Sequence, residues 1–131
     1  MKTLKTAVVT GGILNLVLAL FHIVLCRMIY ADCHTADCYP LLQMFAVSGA
    51  ALIWFLALTS LLFREQLALT AVGRSILLLN VVIYAGRVIS ELALFPASFP
   101  HPKAIIIASC SLIAALYVWI FIKGKSQSLK T

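Results

Sequence analysis

Four stretches of this chain, residues 6–26, 41–63, 75–95 and 104–122, are apolar almost throughout. Each is close to the roughly 20 residues that an α-helix needs to cross the hydrocarbon layer of a bilayer. Four crossings consume most of the 131 residues, so the expected fold class is all-α. It is an integral membrane four-helix bundle, one domain over residues 1–131, with the N-terminus and C-terminus both cytoplasmic. A water-soluble fold is excluded by the balance of residues. The chain is 63% hydrophobic and 11% charged, whereas a soluble domain is about half apolar and about one quarter charged.

The net charge of +6 does not point to nucleic acid, because the basic residues flank the apolar runs and do not line one polar face. Their sidedness sets the orientation. Lys2, Lys5, Arg64, Arg74, Lys123, Lys125 and Lys130 fall on one side, and Arg27 and Lys103 on the other. The side richer in basic residues is the cytoplasmic one. The loops 27–40 and 96–103 then lie outside, and Pro96, Pro100 and Pro102 keep the second non-helical. The sequence has no internal repeat, low-complexity tract or linker, and its polar interruptions are no longer than about 14 residues, which is loop size.

The first run follows Lys2 and Lys5, as a signal peptide would, and Cys26 would then be a lipoprotein cleavage site. Against that, the run exceeds the roughly 7 to 15 residues of a signal core, and Leu25 stands where a small residue is required. The second run is only mildly polar, at Gln43, Ser48, Thr59 and Ser60. Its Ala46, Ser48, Gly49, Ala50 and Ala51 predict a surface on which a neighbouring helix packs closely. The third, reached through a short connection over 64–74, contains Arg87 and Glu91. Its aliphatic and phenylalanine side chains favour insertion by about 4 to 7 kcal/mol, and two central charges oppose it by about 5 to 7 kcal/mol. Its flanking helices force it to cross. The fourth run carries no charge, and Tyr117 and Trp119 suit a membrane interface.

The residues with most chemistry lie on two helix faces. Asn80, Tyr84, Arg87 and Glu91 recur at intervals of four, three and four along the third run, so they share one face. That face must turn inward, because lipid offers these groups no partner and their exposure to it costs several kcal/mol. On the first run Gly11, Asn15, Leu18 and His22 repeat the same spacing. His22 and Glu91 both stand about 25 Å from the cytoplasmic boundary at 1.5 Å per residue, and Asn15 and Tyr84 both fall near the midplane. Two readings of this cluster are open. It is a site opening outward, with fixed charge from Arg87 and titratable groups from His22 and Glu91, or a hydrogen-bonded network that fixes helix register.

Cys33 and Cys38 stand in the outer loop, with Cys26 at its edge and Cys110 in the fourth run. An oxidising exterior permits a disulfide between Cys33 and Cys38. Four intervening residues are not the two of a thioredoxin-type motif, and Cys33, His34 and Cys38 lack the paired spacing of a zinc site, so no metal is assigned. His22 is the only histidine within an expected helix, which disfavours a bis-histidine haem. No cofactor is assigned.

Leu20-Phe21-His22, Phe63-Arg64-Glu65-Gln66-Leu67 and Gly73-Arg74-Ser75, together with Arg87, Glu91 and Phe95, resemble a family of small bacterial four-helix membrane proteins without assigned function. The resemblance touches most of the first three runs and leaves out the cysteine-bearing loop. It implies a bacterial inner (cytoplasmic) membrane and adds no mechanism.

The expected function is that of a non-enzymatic accessory or binding component, whose outward-facing cluster of His22, Arg87 and Glu91 takes a small anion or lipid headgroup. A proton-coupled small transporter acting as an oligomer and a membrane thiol-disulfide oxidoreductase are the alternatives. Expected partners are the lipid bilayer and a second copy of the chain or another membrane protein, with no nucleic acid.

Overall fold

The structure, a computed structural model, describes residues 2–33, 35, 37–94 and 103–128, with side chains for all of these except 32, 33, 94, 103, 127 and 128. The regular elements among them are all helical: α1 (Lys2–Cys33), α2 (Tyr39–Leu62), α3 (Arg64–Leu69), α4 (Ala71–Leu94) and α5 (Lys103–Ser128). All but α3 are long and apolar enough to cross a membrane.

The helices overrun the apolar runs, because a charge ends a membrane-compatible stretch without ending a helix. The segment 27–33, expected as loop, continues α1, since Arg27-Met28-Ile29-Tyr30-Ala31 contains neither glycine nor proline to stop it. At 32 residues, α1 is about 48 Å long at 1.5 Å per residue. Pro40 sits in the first turn of α2, where its missing N–H has no helical partner to lose. Tyr30 and Tyr39 meet edge to face with centroids 6.1 Å apart, bringing the end of α1 to the start of α2. The segment 96–102 lies outside the described residues.

The 64–74 connection also departs from expectation, since it forms α3 and the first turn of α4. Thr70 is extended, at φ −92° and ψ 157°, and divides the two. Its Oγ1 accepts from the Gly73 N–H at 3.0 Å and donates to the Gln66 carbonyl at 2.8 Å, capping the start of α4. Leu67 and Ala68 are buried under α4 and α5 at two glycines. A Cβ on Gly73 would strike the Gln66 carbonyl and Leu67 backbone, and one on Gly124 would strike the Ala68 carbonyl. The helix α5 runs six residues past the expected end at 122, and Gly124 sits in that extension because close approach to α3 requires a residue without a side chain there.

Two helix pairs make up the body, α1 against α2 and α4 against α5. They join through α3 at the end that holds both termini, where Leu4, Val8, Leu67, Ala68, Leu77 and Ile120 form the core. Lys5 Nζ and Glu65 Oε1, 2.6 Å apart, close that end from the outside. The Lys5 ammonium holds the Glu65 carboxyl below its ordinary value through this hydrogen bond and its charge. Polarity runs opposite to that of a soluble protein. Asn15, Asn80, Ser60 and Glu91 are fully buried, while Phe45, Leu62, Val72, Ile105 and Leu112 are exposed, an arrangement that a lipid solvent favours.

Candidate functional site

At mid-height the two helix pairs are tied by one buried side chain. Asn15 of α1 is fully buried and spends its amide on three other groups. Its Nδ2 donates to Asn80 Oδ1 and to the Tyr117 hydroxyl, both at 2.9 Å, and its Oδ1 accepts from the Tyr84 hydroxyl at 2.5 Å. The orientation is dictated outward from the backbone. Asn80 Nδ2 is held by the Ile76 carbonyl of its own helix at 3.0 Å, which leaves Oδ1 to face Asn15. Asn15 must answer with its nitrogen, so its oxygen is left for Tyr84. The Tyr117 hydroxyl reaches Ser60 Oγ at 3.4 Å, so α1, α2, α4 and α5 all contribute.

The sequence placed Asn15 and Tyr84 at one level, and they meet. Tyr117, expected at a membrane interface, is instead 0% exposed and packs against Gly11, where a Cβ would come within 2.8 Å of its ring. Counting could have found it. Tyr117 lies six residues before Lys123, about 9 Å inside the span at 1.5 Å per residue, which is too deep for a headgroup contact. Ser60 gave no comparable signal, because serine also satisfies itself against its own helix, as Ser109 does on the Ile105 carbonyl at 2.8 Å.

Above this knot, on the side away from the termini, the pairs part. Beyond Ala19 no described residue of α1 is buried. A cavity of about 510 Å³ opens there, walled by α1 and α2 on one side and by α4 and α5 on the other. Tyr84 forms its floor, and Leu18, Phe21, Leu52, Ile53 and Val82 supply an apolar lining. Small residues make the room. Gly49 faces the His22 ring, and a Cβ on Gly86 would meet nothing within 4 Å.

Three polar side chains reach this wall from the helices, His22 from α1, Arg87 from α4 and the thiol of Cys110 from α5. The Leu18 carbonyl lies 2.9 Å from His22 Nδ1. A carbonyl can only accept, so Nδ1 carries a proton, and Nε2 is the ring nitrogen left to meet a ligand. His22 Nδ1 therefore bonds its own helix. Arg87 Nη2 stands 3.0 Å from Glu91 Oε2, with the arginine side chain 47% exposed and the carboxylate 0%. Arginine ahead of glutamate is the weaker order on an exposed helix. Here the carboxylate is out of water, where salt screens little of the attraction. Glu91 occupies one edge of the guanidinium, and the other N–H groups of Arg87 face no acceptor among the described residues.

The proposed partnership of Cys33 with Cys38 falls on a Cys33 side chain outside the described residues, as does all of His34. Comparison with protein-family models, with curated proteins and with solved structures finds no match. The geometry of the cavity and its charges therefore carries the functional reading.

Proposed function

We propose that this chain is a small multi-pass protein of a bacterial inner membrane, with the end that holds both termini in the cytoplasm. It serves as a non-enzymatic binding component whose outward-facing cavity takes the anionic headgroup of an amphiphile on Arg87. The orientation rests on Lys2, Lys5, Arg64, Arg74, Lys123 and Lys125, which the chain direction gathers at one end, and a basic excess marks the cytoplasmic side.

One observation carries the binding reading. A half-exposed guanidinium, already fixed in place by a buried carboxylate, lines a cavity whose other surfaces are mostly apolar. A guanidinium offers five N–H donors in a rigid fork that matches carboxylate or phosphate oxygens two at a time. Glu91 fixes that fork in advance, so little side-chain entropy is lost when an anion arrives.

The test is native mass spectrometry of the protein extracted in mild detergent. An anionic amphiphile is expected to stay with the wild type and to be lost from both Arg87→Gln and Gly86→Leu. The second variant fills the cavity without touching a charge. Retention of the same mass by both variants would overturn the assignment.

A further inference from the structure

We infer that the head held in this cavity carries hydroxyl groups beside its anion, as a phosphoglycerol head does, with the anion on Arg87 and a hydroxyl on His22 Nε2. The inference rests on the reading of Arg87 as the anion anchor and adds the chemistry of the rest of the head.

The polar side chains lining the cavity are His22 on α1, Tyr84 and Arg87 on α4, and Cys110 on α5, while α2 contributes Gly49 and apolar side chains. Each asks for something different. The Arg87 guanidinium can only donate, which suits the anion. Tyr84 spends its proton on Asn15 Oδ1 at 2.5 Å, so toward a ligand its oxygen can only accept. His22 gives Nδ1 to the Leu18 carbonyl at 2.9 Å, which leaves Nε2. That nitrogen accepts when bare and donates when protonated. The Cys110 thiol is a weak donor and a weak acceptor and selects neither.

A hydroxyl is the common headgroup function that fits both Nε2 and Tyr84. It donates one proton and accepts through two lone pairs, so it pairs with His22 in either protonation state and donates to the Tyr84 oxygen. A second phosphate or carboxylate oxygen would meet the Tyr84 lone pair with another lone pair. An ammonium can only donate, and it would bring a second cation into a cavity that already holds Arg87. Gly49 keeps the Nε2 edge open. A Cβ there would lie 3.8 Å from Cδ2 and 4.0 Å from Nε2, and a longer side chain would take the place of the hydroxyl. Depth makes the partner matter. From Arg87 the helix α4 continues seven residues to Leu94, so the head sits about 10 Å inside that end at 1.5 Å per residue. A hydroxyl held there gives up much of its water, and a partner on the wall then decides its affinity.

The test is native mass spectrometry of the full chain, stripped of lipid in mild detergent and titrated with lipids that share the same acyl chains. Phosphatidylglycerol and phosphatidylethanol carry the same phosphodiester charge, and only the first has hydroxyls. Phosphatidylglycerol is expected to bind at least about threefold more tightly than phosphatidylethanol or phosphatidylethanolamine, a factor that one hydrogen bond of ordinary net strength supplies. His22→Phe removes Nε2, and Gly49→Leu covers it from α2 without changing the ring. In both, the advantage over phosphatidylethanol should vanish with phosphatidylethanol still bound. Glycerophosphoglycerol, the same head without tails, should not displace the lipid at equal concentration, because the tails hold the lipid's head beside the site. Displacement would overturn the choice of a lipid over a free polyol phosphate. A wild-type advantage below the expected factor, or one that survives in His22→Phe, would overturn this inference and leave the anion reading standing. If Arg87→Gln bound both anionic lipids as the wild type does, the anion reading would fall with it.

Discussion

Replacing Asn15 by alanine is the sharpest test of the architecture, because one side chain supplies three of the hydrogen bonds that join the two helix pairs. Interhelical hydrogen bonds in membranes average about 0.6 kcal/mol and reach about 1.7 kcal/mol each. Three of them place the loss at about 2 to 5 kcal/mol. The upper part of that range is favoured because Asn80 Oδ1 and the Tyr84 hydroxyl lie in a buried site and would lose Asn15 as a partner. Tyr84→Phe alone breaks one bond and should cost about 0.6 to 1.7 kcal/mol. In the alanine background the same change removes a hydroxyl already orphaned, so it should cost nothing or restore some stability. Reversible unfolding in mixed micelles with increasing dodecyl sulfate, followed by the fluorescence of Trp54 and Trp119, measures all four corners of the cycle. If the two losses simply add, within about 0.3 to 0.5 kcal/mol, Asn15 and Tyr84 do not share a bond and the knot as described is wrong.

The Arg87–Glu91 pair should respond unequally to removal of its members. Arg87→Met removes a cation held 3.0 Å from a fully buried carboxylate and should lower stability in the same unfolding assay, whereas Glu91→Gln leaves a half-exposed guanidinium that can reach toward water and should cost clearly less. The reverse ranking would contradict the burial of the carboxylate. Gly124→Ala would ordinarily stabilise a helix by up to about 1 kcal/mol, but here its methyl meets the Ala68 carbonyl. Thermal or detergent stability should fall, with proteolysis appearing first at 64–70. At the same end, Lys5 holds the Glu65 carboxyl below its usual range. A depressed carboxylate stabilises the folded state above the unfolded-chain value of about 4.3, and that contribution disappears as pH drops through the lowered folded value. A carbon-detected NMR titration should show the Glu65 midpoint rising toward the ordinary value in Lys5→Met, and an unmoved midpoint would remove the contact.

The sequence by itself determined that the chain has four helices fit for lipid, and that Asn80, Tyr84 and Glu91 turn inward, whereas Arg87, expected inward with them, is half exposed. Both follow from transfer free energies, which depend on residue type and helical period and not on which neighbour lies opposite. Depth counting also put Asn15 level with Tyr84, because rise per residue is nearly invariant. Tertiary structure decided the rest. Each residue turns a helix by about 100°, so a pattern that names a face does not name the helix it meets. Only packing could show that Tyr117 and Ser60 complete the knot, that His22 turns to its own backbone, or that Gly49 and Gly86 leave a cavity beside Arg87. The extra helix α3 was hidden for a related reason. Six residues are too few to hold a helix by their own propensity, and α3 exists because Gly73 and Gly124 let α4 and α5 close over it.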